Sequence, residues 1–144
     1  MFLLDTNVVS ELRKVGSGKV DSQVEKWATS TPGTQTFIST ITIFEIERGV
    51  LLMERRDSQQ GQVLRQWLNN HVLTHYSDRI IPISTRIAQR CAALHVPAPM
   101  ADYGALIAAT ALEHGLIVVT RNIGDFERTG VKLLNPWIND DVKS

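Results

Sequence analysis

Short apolar runs alternate along the chain with longer stretches in which apolar residues recur at helical spacing. The short runs lie at 2–4 and within 36–40, 80–83, 116–120 and 131–134. Runs of this length, rich in β-branched and aromatic residues, are typical of buried strands. The helical pattern fills the intervals, at 8–14, 20–29, 41–55, 57–77 (one long helix or a broken pair), 84–94 and 101–114. Strands that alternate with helices, without tight hairpin signals, predict an α/β fold with three layers, α/β/α, around a mainly parallel sheet of four or five strands.

The helix predicted at 41–55 is unusual because its apolar residues occupy opposite sides. At about 100° per residue, Ile41 and Leu52 share one stripe, whereas Ile43 and Val50 lie opposite. One side should pack against the sheet, and the other would be exposed on a monomer. We therefore expect a second protein surface to cover it and the chain to form a homodimer.

Composition limits the possible functions of the chain. Its length of 144 residues fits a single domain spanning 1–144. Lys plus Arg and Asp plus Glu both number 15, so any contact with nucleic acid must come from local patches rather than from a global positive charge. Cys91 is the only cysteine, which excludes an intrachain disulfide and fits a reducing compartment. No apolar stretch approaches the ~18 residues of a membrane span and no secretion signal precedes the first strand, so we expect a cytoplasmic protein without membrane contact.

Acidic residues follow the predicted strands or open the helices after them. Asp5 ends the first strand, Glu45 lies in the first turns of the helix after the second, Asp102 opens the alanine-rich helix, and Asp125 follows the fourth strand together with Asn122. Each acid alone has a structural explanation, such as a helix N-cap for Asp5 or a turn for Asp125. The carboxyl ends of parallel strands share one edge, however, and ligands of α/β sheets bind there. We therefore expect the four acids to form one site.

The chemistry of such a site follows from its oxygen ligands. Crowded carboxylates repel one another unless cations are bound, and ligand sets of oxygen alone suit Mg²⁺, with Mn²⁺ as a substitute, rather than zinc. Four carboxylates would balance two divalent ions, the arrangement that activates water in phosphodiester cleavage. The same acids could also bind a single ion.

With these residues in view, the chain resembles the PIN-domain family, and within it the VapC-type toxins of bacterial type II toxin–antitoxin pairs, with a FitB-like character. The resemblance extends almost from end to end. The matching segments are 3–7 (LLDTN), 38–49 (ISTITIFEIERG), 101–111 (ADYGALIAATA), 118–122 (VVTRN) with 125–126 (DF), and 135–137 (NPW). Each segment alone is weak, but their order and spacing together are specific.

The resemblance implies a Mg²⁺-dependent endoribonuclease that cuts structured cellular RNA and is neutralised by a small antitoxin protein. Asp5, Glu45 and Asp102 match the first three acids of the family. Many members carry aspartate where this chain has Asn122, so either Asn122 or Asp125, three residues later, could supply the fourth ligand.

The remaining positions that the resemblance suggests are polar or basic. Thr6 and Thr120 match positions that support the acids by hydrogen bonds, and Arg86 and Arg121 are candidate RNA contacts, as are Arg13, Lys14 and Arg128. The alternative is a FitB-like subunit of a DNA-bound toxin–antitoxin complex with little nuclease activity. Because nothing in the sequence resembles a helix-turn-helix, contact with operator DNA would then fall to the antitoxin.

Overall fold

Five short strands form one sheet in residues 1–138, the part of the chain that the computed structural model describes. The strands are β1 (Phe2–Leu4), β2 (Thr36–Ser39), β3 (Ile80–Ile81), β4 (Ile117–Val119) and β5 (Leu133–Leu134). Their order is β3-β2-β1-β4-β5, and every neighbouring pair runs parallel. The predicted α/β fold with a parallel sheet is thereby confirmed. Since β1 is the central strand, its carboxyl end lies beside those of β2, which Glu45 follows, and β4, which Asn122 and Asp125 follow.

Helices separate the strands in the order that the sequence pattern predicted. They are α1 (Thr6–Leu12), α2 (Ser22–Ser30), α3 (Thr40–Arg56), α4 (Ser58–Trp67), a π-helical segment (Leu68–Val72), α5 (Leu73–His75), α6 (Thr85–Leu94) and α7 (Asp102–His114). Short 3₁₀ turns lie at Gly33–Gln35, Ile123–Asp125 and Glu127–Thr129. Capping residues mark the ends: the Ser84 side chain accepts a hydrogen bond from the Ile87 N–H at the start of α6, and Gly115 ends α7 with a backbone φ of 66°.

The sheet is covered by helices on both faces. Leu4 packs into a cluster formed with α1, α2, α3 and the π-helical segment, whereas its neighbour Leu3 packs into a second cluster with α7 residues such as Ile107. This alternation is the period-2 geometry of a strand, and it places an apolar side chain of β1 in each layer. The α/β/α arrangement predicted from the sequence follows directly from these two clusters.

Helices α3 and α4 form a tight hairpin in which one residue serves both helices. Asp57 ends α3 with its backbone N–H on Met53, and its side chain accepts hydrogen bonds from the N–H groups of Gln59 and Gln60 at the start of α4. Arg65 of α4 then reaches back to α3, where its two terminal nitrogens contact the Glu47 carboxylate at 2.7 and 2.6 Å and a second carboxylate, that of Glu54, lies 3.3 Å away. The two helices are therefore joined by a shared capping residue and by these ion pairs.

Helix α3 has one side in the core and a second apolar side at the surface. Thr42, Ile46 and Val50 are buried along the inner side. Leu51 and Leu52 lie on the outer side and are 54% and 63% exposed. The two-sided pattern predicted from the sequence is present, and self-association stays a prediction.

Differences from the prediction concern the lengths of elements. The stretch predicted as one long helix or a broken pair at 57–77 is a nearly continuous helical run that contains the π-helical segment, and Leu68 and Val72 of that segment are both buried. Strands β3, β4 and β5 are shorter than the apolar runs that predicted them, because flanking apolar residues pack from loops. Within residues 1–138, no helix is both long and apolar enough to cross a bilayer.

Candidate functional site

A surface cavity of about 390 Å³ lies where β1, β4 and the start of α3 meet. Four of the five predicted oxygen ligands line it, namely Asp5, Glu45, Asn122 and Asp125. They come from segments far apart in sequence, and the parallel order of the strands brings them to one edge. The predicted gathering of oxygen ligands at this edge is thus present for these four residues.

Asp5 is both a helix cap and a cavity residue, so the two interpretations open at the sequence level are compatible. It follows β1, and its Oδ1 accepts a hydrogen bond of 2.8 Å from the Thr6 N–H at the start of α1. Its Oδ2 accepts from the Thr120 hydroxyl at 2.8 Å and from the Asn7 side-chain amide at 3.3 Å. These donors are all neutral, although the carboxyl group is only 9% exposed.

The surroundings of Asp5 disfavour its charge. Burial raises the pKa of the Asp5 carboxyl above its usual value, the hydrogen bonds from Thr120 and Thr6 lower the pKa in part, and the nearby negative charge of Asp125 raises it again. A cation next to this carboxylate would reverse the balance. The electrostatics of the cavity therefore favour a bound positive group.

Glu45 is held by the residue that follows Asp5. The Thr6 hydroxyl lies 2.7 Å from Glu45 Oε1 and 3.2 Å from the hydroxyl of Thr42. Because a hydroxyl carries one proton, the short contact to the carboxylate uses the Thr6 proton, and the fully buried Thr42 must donate to Thr6. This chain of hydrogen bonds fixes the Glu45 carboxylate one helical turn into α3.

The loop after β4 supplies the remaining cavity ligands. Thr120 accepts a hydrogen bond from the Asn122 N–H at 3.0 Å while donating to Asp5, so it ties this loop to β1. A 3₁₀ turn follows, in which the Asp125 N–H donates to the Asn122 carbonyl at 3.1 Å. Asn122 and Asp125 both face the cavity, and each can still serve as the fourth ligand.

Asp102 is the predicted ligand whose side chain does not line the cavity. Its neighbours Ala101, Tyr103 and Gly104 do, but the Asp102 carboxylate is 84% exposed and lies 3.5 Å from His95 Nε2. The backbone N–H of Met100 donates to His95 Nδ1, so in the neutral ring the proton is on the nitrogen that faces Asp102. A metal role for Asp102 stays a prediction that requires its side chain to rotate.

The two candidate RNA-contacting arginines have different surroundings. Arg86 of α6 pairs with Glu113 near the end of α7 and is not among the cavity residues. Arg121 follows β4, and its backbone N–H donates to Asn7 while its guanidinium lies 5.1 Å from the centre of the Trp137 ring. Of the two, Arg121 is placed beside the cavity.

Sequence reasoning overlooked Asn7 as a site residue. Its amide nitrogen contacts Asp5 Oδ2 and Thr120, and its oxygen accepts from the Arg121 N–H, so Asn7 links the β1 and β4 ends of the cavity. Its position two residues after the acid that ends β1 was the available signal, since side chains at this point of a helix face the N-terminal turn.

The ligand types in the cavity suit a hard divalent cation, but their present arrangement does not form a complete metal site. Carboxylates and an amide carbonyl are the ligands that Mg²⁺ and Mn²⁺ prefer. Among the residues that the structure describes, however, no three His, Cys, Asp or Glu side chains are arranged to hold a metal ion. Rotation of Asp102 away from His95 is the rearrangement that the exposure of its side chain allows.

Comparisons with known proteins agree with this geometry. A family model described as PIN domain matches residues 2–132. The toxin FitB of Neisseria gonorrhoeae is 32% identical over 142 residues, which cover 95% of this chain and 99% of that protein. The VapC ribonuclease Y4jK of Sinorhizobium fredii is 30% identical over 142 residues, covering 95% and 98% of the two chains.

A solved structure is similar over nearly the same length. It is described as FitAB bound to the IR36 DNA fragment, and the chain compared is 29% identical with a TM-score of 0.86, covering 98% of this chain and 99% of that one. Both the sequence and the shape of this chain therefore match the same group of proteins.

Proposed function

The chain belongs to the PIN-domain family, and we propose that it is a divalent-metal-dependent endoribonuclease that acts as the toxin of a toxin–antitoxin pair. The observation that carries the proposal is the Asp5 carboxylate, which is buried among neutral donors beside Glu45 and Asp125 in a cavity open to solvent. The similarity to a protein named VapC ribonuclease supports RNA as the substrate, and the similarity to a protein named toxin FitB supports the toxin role.

Asp5, Glu45 and Asp125 would hold Mg²⁺, with Asn122 contributing its carbonyl oxygen and Asp102 joining after rotation of its side chain. Mn²⁺ is the expected substitute. The bound ion would supply a water of lowered pKa and offset charge on the scissile phosphate. The substrate we propose is structured cellular RNA.

The protein's own contribution is positioning and charge. Thr6 fixes the Glu45 carboxylate, and Thr120 fixes Asp5 and the loop that carries Asn122, so these threonines keep the ligands in place before substrate arrives. The Glu45 and Asp125 carboxylates are available to accept a proton from an attacking water. Arg121 beside the cavity and Arg86 farther away are the candidate phosphate contacts.

We propose that a small antitoxin protein and a second copy of the chain are its protein partners, in the cytoplasm. The exposed Leu51 and Leu52 on α3 support the homodimer, because apolar side chains of this size are unfavourable next to water. The antitoxin partner is supported by the structural similarity to FitAB, and any contact with operator DNA would pass through the antitoxin.

A second candidate function is that of a subunit in a DNA-bound complex with little nuclease activity of its own. The similarity to a complex bound to DNA favours it. The two candidates differ in one observable, namely whether the isolated chain cuts RNA when Mg²⁺ or Mn²⁺ is added.

The test compares the purified chain with two Asp→Asn variants that have matched structural roles. Asp5→Asn and Asp21→Asn both replace an aspartate that N-caps a helix, but only Asp5 lines the cavity. We expect Asp5→Asn to reduce RNA cleavage at least about a hundredfold, since even outer groups around a metal are worth about 10–100-fold. Asp21→Asn should retain activity, because asparagine caps helices about as well as aspartate.

Sequencing of RNA ends after brief expression of the chain alone would identify the target. Absence of metal-dependent cleavage by the parent chain would favour the DNA-bound subunit, and full cleavage by Asp5→Asn would overturn the assignment of the cavity.

A further inference from the structure

A second groove, of about 310 Å³, runs from the acidic cavity between α1 and the α3–α4 hairpin. The two depressions share three lining residues, Thr6, Ser10 and Glu45. The groove is therefore a continuation of the cavity rather than a separate site. Its volume is at the lower end of the range, roughly 300–1,000 Å³, in which small ligands bind.

The wall that α3 and α4 give this groove is mostly apolar, whereas the side formed by α1 and the residues just after it is polar. Ile46 and Val50 of α3 form one side, and Leu64 and Trp67 of α4 close the far end. Gly49 lies between the α3 residues on the exposed side of the helix, and a Cβ added to it would meet nothing within 4 Å. A side chain at Gly49 would therefore enter the open space of the groove.

The far end of the groove combines an aromatic ring with positive charge. The Arg13 guanidinium lies 5.9 Å from the centre of the Trp67 ring, and Lys14 lies beside it. Lys14 pairs with Glu11 at 3.0 Å, and the Asp21 N–H also donates to Glu11, so the charge of that carboxylate is compensated. Arg13 forms no salt bridge within residues 1–138 and provides the uncompensated charge.

We propose that this groove holds the nucleotide next to the scissile phosphate, with its base against the apolar wall of α3 and α4 and its phosphate near Arg13. The inference rests on the proposed nuclease function. An RNA strand that presents a phosphodiester to Asp5 must leave the cavity through a neighbouring opening, and this groove begins at Glu45. The apolar wall and its aromatic ring, Trp67, suit the face of any base, so binding here would be tolerant of sequence.

Two substitutions of Gly49 separate occupation of the groove from stability of the fold. Gly49→Ala adds only the Cβ, whereas Gly49→Leu fills the groove with a residue that also favours helix. Both are combined with Asp5→Asn so that RNA is bound but not cut. Binding of a short, mixed-sequence, single-stranded oligoribonucleotide carrying a fluorophore is then measured by polarisation in Mg²⁺ buffer.

We expect Gly49→Leu to bind the oligoribonucleotide about tenfold more weakly than the Asp5→Asn parent, which is about 1.4 kcal/mol, and Gly49→Ala, which adds only a Cβ, to lie between the two. Arg13→Gln should reduce the slope of log affinity against log salt by about 0.7, the value for one phosphate contact with a single strand. In the background that retains Asp5, the same Gly49→Leu change should slow cleavage.

If Gly49→Leu and Gly49→Ala bound RNA equally while the parent chain cut RNA, the groove assignment would be overturned and the proposed nuclease function would stand. Loss of antitoxin binding by Gly49→Leu with unchanged RNA binding would overturn it as well and assign the groove to the protein partner. A parent chain that neither binds nor cuts RNA would overturn both this inference and the proposed function.

Discussion

The contact between α3 and α4 gives the sharpest prediction about stability, at Gly61. A Cβ placed on Gly61 would lie 2.4 Å from Glu54 Cα and 2.7 Å from Glu54 N. Both atoms belong to the backbone, so no rotation of a side chain relieves the clash. Gly61→Ala must instead move the two helices apart by about 1 Å to reach the 3.4 Å of ordinary contact.

The size of the effect follows from two opposing terms. Overpacking of this kind typically destabilises by about 1–3 kcal/mol. We expect a value near the upper limit, because the clash is with backbone atoms that no side-chain rotation can move. Replacing glycine by alanine inside a helix returns about 1 kcal/mol. We expect Gly61→Ala to lower the free energy of unfolding by about 2 kcal/mol, which in a chain of this size lowers Tm by about 7 °C.

Gly49→Ala is the matched control, because Gly49 lies on the same hairpin with open space around it. It should raise the free energy of unfolding by up to about 1 kcal/mol. Thermal and urea unfolding, followed by circular dichroism at one protein concentration, measure both variants. If Gly61→Ala melted at or above the parent temperature, the close approach of α3 and α4 would be wrong.

Three further predictions concern the cavity and the surface of α3. Because the pKa of Asp5 is raised in the folded chain, ionisation of Asp5 opposes folding. Asp5→Asn should therefore raise Tm at neutral pH in EDTA. Melting curves recorded across pH should show that this gain in Tm vanishes below the ordinary aspartate pKa of about 3.9. Calorimetric Mn²⁺ titration should show tighter binding for Asn122→Asp if position 122 is the fourth ligand, whereas Asp125→Asn should weaken binding more if Asp125 has that role. Leu52→Glu should convert a dimer to a monomer in light scattering, and a parent that is already monomeric at tens of micromolar would contradict the proposed interface.

The strands and the site edge were predictable because local patterns determine them. Phe2, Leu3 and Leu4 are an apolar run that ends at Asp5, and the rules of parallel sheets then place that acid at the ligand-binding edge. The same argument put Asn122 and Asp125 at this edge without any knowledge of distances, and both line the cavity there. For all three residues, the position along a strand or the loop after it is sufficient to predict the edge of the sheet at which the residue lies.

What could not be predicted depends on contacts between elements or on freely rotating side chains. Arg65 meets Glu47 and Glu54 only because α3 and α4 pack closely, and nothing in the local sequence gives that distance. Asp102 was placed correctly at the start of α7, but its exposed side chain has few packing constraints, so its orientation toward His95 is not encoded in the helical pattern.

The order of the strands has a consequence for biosynthesis. Asp5 leaves the ribosome long before Thr120, Asn122 and Asp125, and β1 lacks one of its two neighbours until β4 appears. On the proposed function, a nascent or prematurely terminated chain would be harmless to the cell that makes it. We expect expression of a fragment that ends before Ile117 to leave growth unaffected, so that an inhibitor need only recognise the finished protein.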